Sequence, residues 1–154
     1  MYMKRLVRDV LMLVVAMVVS SCSKTAVDSG YLDVTPNNIA GVWRMEQYEG
    51  GEVFAEGSYY YIEFVRKDKT FVSYDNLNSM GVYKQTGRYD IEVNAAAIIW
   101  GHYDFKDADS DWAHRYYVRD LTADRMVWVA VDDATIVRVF VRDSLPEWIE
   151  TDKE

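Results

Sequence analysis

The chain has 154 residues, of which 27% are charged, with 17 basic against 25 acidic side chains and a net charge of −8. A surface so acidic repels phosphate backbones, so nucleic acid is not an expected partner. One cysteine, Cys22, rules out an internal disulfide, so any core must hold together by burial alone.

Met1 to Asp9 carries Lys4, Arg5 and Arg8 against one acid. Val10 to Val19, "VLMLVVAMVV", is then wholly apolar and ten residues long. A membrane-spanning helix needs about 20 such residues. A basic start, a short apolar run and small residues form the layout of a secretory signal peptide. Val19-Ser20-Ser21-Cys22 resembles the lipobox of bacterial lipoproteins. That resemblance implies cleavage after Ser21, a signal peptide over 1–21, and acylation of Cys22. It also implies a lipid-anchored envelope protein, with the membrane as a partner through its lipid. Ser23 lacks the acidic character associated with inner-membrane retention, which points to the outer membrane. Without residues 1–21 there remain 14 basic and 24 acidic side chains, a net charge of −10.

Ser23 to Asn38, "SKTAVDSGYLDVTPNN", holds no sustained period and is rich in turn residues. Residues 22–38 are therefore expected to form a flexible tether, with a reach of roughly 20–25 Å. One domain is expected over 39–148, followed by a tail over 149–154.

From Ile39 onward no segment keeps a helical period for three turns. Short segments rich in Tyr, Val, Ile, Trp and Phe alternate with turn residues, the pattern of an all-β barrel or sandwich. Eight strands are expected: Gly41–Tyr48, Tyr59–Arg66, Thr70–Tyr74, Val82–Ile91, Ala95–Phe105, Trp112–Leu121, Arg125–Val131 and Thr135–Arg142. Their short connections make neighbours antiparallel, and an eight-stranded up-and-down barrel leaves no exposed edge. In "SYYYIEF", Tyr59 and Tyr61 fall on one face, and Tyr60, Ile62 and Phe64 on the other. Twelve Tyr and five Trp suit strand packing, a pocket or an interface. For the last hairpin, a loop centred on Asp132 and Asp133 would pair Trp128 with Val137. The uncharged face with Met126, Trp128, Val137, Val139 and Val141 would then point inward, and Arg138 and Arg142 outward. The same reasoning groups Gly87, Tyr89 and Ile91 with Ala96, Ile98 and Trp100. Tyr89, Trp100, Trp128 and Val139 are thus the candidates for lining the interior and for binding a ligand there.

"IAGVW", Ile39 to Trp43, opens the first strand with Gly-x-Trp, and "VFVRD" ends the last with Arg142. Together with "DLTADRMVW", these resemble small bacterial lipocalin-like lipoproteins. The resemblance implies that Trp43 plugs the closed end of the barrel beneath Arg142, a cation–π pair. It also implies a small apolar or amphipathic ligand. A different reading of the same aromatics is a filled barrel that docks an envelope protein or a glycan.

Little in the chain suggests catalysis. There are two histidines, His102 and His114, and no Gly-x-Ser-x-Gly or phosphate-cradling loop. The histidines fall on neighbouring expected strands near Asp104, but nothing supplies a defined ligand set for zinc. Asp107, Asp109 and Asp111 alternate like the start of a calcium loop, yet Trp112 and Val118 stand where Gly and Glu are needed. No metal, no cofactor and no enzymatic activity are expected.

Overall fold

The computed structural model describes residues 30–104 and 110–150. The expected signal peptide, Cys22, Phe105, Asp107 and Asp109 lie outside them. The described chain is all-β apart from two single-turn helices, α1 (Pro36–Ile39) and α2 (Glu147–Glu150). Nine strands follow in order: β1 (Gly41–Tyr48), β2 (Glu52–Val53), β3 (Tyr60–Val65), β4 (Thr70–Asp75), β5 (Tyr83–Val93), β6 (Ala97–Tyr103), β7 (Tyr116–Arg119), β8 (Arg125–Ala130) and β9 (Val137–Arg142). Each of β4 to β9 pairs antiparallel with its predecessor, β3 pairs with β1, and β9 returns to β1. Eight strands therefore close into a barrel. The two-residue β2 lies outside that ring, clipped to the end of β1 through Gln47↔Val53 and Tyr48↔Glu52.

Closure runs through Trp43↔Arg142, Arg44↔Val141 and Met45↔Phe140, with a bulge before Gln47↔Val139. The turns at 66–69, 94–96 and 120–124 share one end of the barrel with α1. The connections at 49–59, 76–82 and 131–136 gather at the other end, the mouth, where β6 ends and β7 begins. Inward side chains, among them Trp43, Ile62, Phe64, Phe71, Ile99, Met126, Trp128 and Phe140, form one continuous buried core.

Two hairpins differ from expectation: the last is shifted by one residue, and in β5–β6 the other face of β6 points inward, since any odd shift exchanges the faces of a strand. In the last hairpin Trp128 faces Arg138 and Val129 faces Val137. The cause is the loop chemistry. Asp133 Oδ1 accepts from Thr135 N at 2.9 Å and from Thr135 Oγ1 at 2.6 Å, and Ile136 N donates back to Asp133 O. This Asx-type turn consumes a residue. Arg138, Phe140 and Arg142 consequently point in, and Val137, Val139 and Val141 point out. The β5–β6 turn has three residues, so Tyr89 faces Gly101 and Asp90 faces Trp100. Ile99, Gly101 and Tyr103 are the inward side chains, and Trp100 stands on the outer surface.

The strand expected from Trp112 begins only at Tyr116. Trp112 instead folds into the barrel from its loop. Its indole lies on Gly101, where an added Cβ would stand 2.2 Å from a ring carbon. The packed unit also begins before Ile39. Leu32 N donates to Leu121 O at 2.7 Å, and Thr35 caps α1 through its hydroxyl, so the last residues of the expected tether lie against the barrel. At the other terminus Ile149, expected in the tail, is buried with Tyr61 and Tyr74 on the outer face of β3 and β4.

Candidate ligand site at the barrel mouth

The closed end is built around Trp43. Its Nε1 donates to Ile39 O at 2.7 Å, and the Arg142 guanidinium lies 3.8 Å above the ring centroid. Arg142 also donates to Asn38 O at 3.0 Å, to Ala123 O at 3.2 Å and to Ala40 O. Those acceptors explain how a charge can sit in the barrel floor. Burial lowers its pKa, but three carbonyls and an indole face replace the lost water. Gly41 has φ 108°, and a Cβ there would stand 2.9 Å from an Arg142 nitrogen, so the glycine of Gly-x-Trp is required twice over.

The middle of the barrel is filled. Trp128 sits among Phe140 (4.6 Å between centroids), Tyr116 (5.2 Å), Trp112 (5.3 Å) and Phe64 (6.1 Å). Tyr89 packs edge-on against Phe64 at 5.0 Å. Of the four residues expected to line the interior, Tyr89 and Trp128 are inside but serve as packed core. Trp100 and Val139 are outside. Trp100 lies under the Arg115 guanidinium at 4.3 Å, in a shallow recess of about 320 Å³ with Lys69, Asp90 and His102. Val139 is buried on the outer surface beside Val127 and Gln47.

At the mouth a recess of about 280 Å³ opens to solvent. Met45, Tyr48, Phe54 and Leu77 supply an apolar wall, Glu49 and Asn78 a rim, and Tyr60 and Arg138 a polar floor. The β2 clip turns the chain so that Phe54 returns onto Tyr48, with 4.9 Å between ring centroids. Arg138 lies 5.0 Å from the Tyr116 ring centroid. Its Nε is buried without a hydrogen-bond partner, as are Tyr116 OH and Ser73 Oγ. Desolvation pushes the Tyr60 phenol far above the ordinary tyrosine value, and the Arg138 charge opposes that shift. Ser73 lies near enough to favour the Tyr60 anion slightly, yet it makes no well-formed hydrogen bond. Asp75, 5% exposed, has its carboxyl raised by burial, and Leu77 N restrains the shift by donating to Oδ1 at 3.1 Å. A larger groove of about 380 Å³ runs outside the barrel beside Arg44, Glu46 and Tyr59. Its arginine is already engaged with Glu46 and Asp143.

The histidines do not converge. His102 Nδ1 meets Asp111 at 2.7 Å, and His114 Nδ1 meets Asp132 at 2.9 Å. Asp104 instead accepts from Thr86 at 2.7 Å. Among the described residues no group of three or more His, Cys, Asp or Glu side chains could hold a metal ion.

Arg138 and Trp112 are what sequence reasoning missed. A signal for Arg138 existed. An Arg142 over Trp43 must point inward, and alternation then carries Phe140 and Arg138 inward too, against the hairpin argument that sent both arginines out. For Trp112 the signal was Gly101, since a glycine within a strand marks a close approach.

Comparison with known proteins agrees with this geometry. The lipocalin-like domain family matches residues 39–128, more than half of the chain. A solved structure of a lipocalin-like protein from Bacteroides uniformis ATCC 8492 superposes with a TM-score of 0.51 at 16% identity. The match covers 69% of this chain and 99% of that one, a likeness of fold. Comparison with curated proteins gives no match. By the family match and the closed barrel alike, the chain belongs to the lipocalin-like domain family.

Proposed function

We propose that this is a lipid-anchored protein of the cell envelope, held at the outer membrane through Cys22, whose barrel binds a small apolar or amphipathic molecule at its mouth. The observation that carries the binding reading is the recess bounded by Met45, Tyr48, Phe54 and Leu77 above a solid core. At about 280 Å³ the recess falls just below the roughly 300–1,000 Å³ of small-molecule sites, which limits it to a short ligand rather than a long chain. The lipobox-like Val19-Ser20-Ser21-Cys22 supports the anchor. The proposed role is binding, in keeping with a sequence that carries no Gly-x-Ser-x-Gly or phosphate-cradling loop.

A neutral apolar fluorophore such as N-phenyl-1-naphthylamine tests the binding reading. Saturable emission should appear with the wild type and weaken about tenfold in Phe54→Ala, which removes one aromatic wall. No saturable signal would end this reading. The filled core, with Leu77 and Met80 exposed on one mouth loop, would then favour the second reading, a module that docks an envelope protein or a glycan.

A further inference from the structure

We propose that the mouth selects a small amphipathic monoanion, with its acid head on Arg138 and its apolar body against Met45, Tyr48, Phe54 and Leu77. The inference rests on the mouth being the ligand site and adds the ligand's charge.

Among the described residues two arginines point into this barrel, and they differ in one respect. Arg142 has three carbonyl acceptors and an indole. Among the described residues Arg138 has no hydrogen bond and no ion pair; what faces it is the Tyr116 ring. Its Nε is removed from solvent with nothing to accept its proton. A half-buried guanidinium in that condition is costly, and methionine or leucine would fill the same space without the penalty. Tyr116 OH and Ser73 Oγ, also buried and unpartnered, add hydroxyls to the same region. A planar acid group satisfies the guanidinium fork with two parallel hydrogen bonds.

The acids nearby do not already perform this task. Asp75 is engaged with Leu77 N and forms no ion pair with Arg138. Asp132 is held by His114. Glu49 lines the recess but stands exposed at its rim, where water and salt screen it.

Titration calorimetry with octanoate, octanol and octylammonium separates the possibilities, because the three share a tail and differ in the head. Octanoate should bind roughly ten- to a hundredfold more tightly than octanol, and octylammonium most weakly. In Arg138→Met, octanoate should fall to the level of octanol. Glu49→Gln, which removes a rim carboxylate that opposes an anion, should tighten octanoate binding, and weaker binding in this exposed variant would count against the proposal. The wild-type comparison needs no variant, so a misfolded Arg138→Met would not spare the proposal. If octanol binds as well as octanoate while the neutral fluorophore saturates, the mouth is a ligand site and the selection for charge is wrong. If neither the tails nor the fluorophore bind, the ligand-site reading itself falls.

Discussion

At the scale of single residues, Trp43 and Arg142 act as one unit. Trp43→Ala removes a fully buried side chain and should cost about 3–5 kcal/mol. Arg142→Ala removes charge-assisted hydrogen bonds to three carbonyls as well as the cation–π contact, and should cost about 2–4 kcal/mol. In urea unfolding the double mutant should fall short of the sum by at least ~0.5–1 kcal/mol. Full additivity would show that the pair is not coupled. Asp75 gives a pH-dependent prediction. Burial raises its folded pKa above the unfolded value, so the native state binds more protons in the window between the two. Stability contributed there falls as the pH rises through that window. Asp75→Asn should therefore stabilise the protein at neutral pH, and its advantage should vanish below about pH 4, where the carboxyl is protonated in both states. Chemical denaturation at a series of pH values reads this, and an advantage independent of pH would contradict it.

At the scale of elements, turns decided which faces the strands presented. The Asx turn at Asp133 shifted the last hairpin by one position, and the three-residue turn at 94–96 brought the other face of β6 inward. Strand existence was legible because β-rich segments and turn residues alternate. Strand facing was not, because turn length enters as a parity and two loop lengths fit the same letters. The C-terminal element shows another limit. Tyr61 and Tyr74 point away from the barrel interior, and the segment from Asp143 to α2 covers them. Asp143 N donates to Val42 O, Arg44 grips the Asp143 carboxylate at 2.8 Å, and Trp148 meets Tyr59 edge-on at 4.8 Å. Ile149→Ala should cost about 2–4 kcal/mol, a core-like value for a residue near the end of the chain. A loss below ~0.5 kcal/mol in urea unfolding would show that this strap does not stay closed in solution.

At the scale of the whole molecule, the expected anchor and the barrel are separate devices on one chain. Cys22→Ser should abolish fatty-acid labelling and release the protein from the membrane fraction. Equal labelling of mutant and wild type would remove the lipoprotein reading and leave the barrel untouched. Barrel stability should be the same in the two proteins, because the described domain contains no cysteine.

The sequence by itself determined an all-β chain of short antiparallel strands, and the family resemblance added the barrel's Trp43–Arg142 pair. Both rest on local pattern: alternating β-rich runs and turn residues for the strands, and for the resemblance a Gly-x-Trp in the first strand with an arginine ending the last. Only the tertiary structure decided what fills the barrel. Trp112 enters from a loop, Trp100 and Val139 turn outward, and Arg138 turns inward toward Tyr116. The physical reason is that these positions depend on long-range pairing and on the space left by Gly101, which no window of neighbouring residues contains.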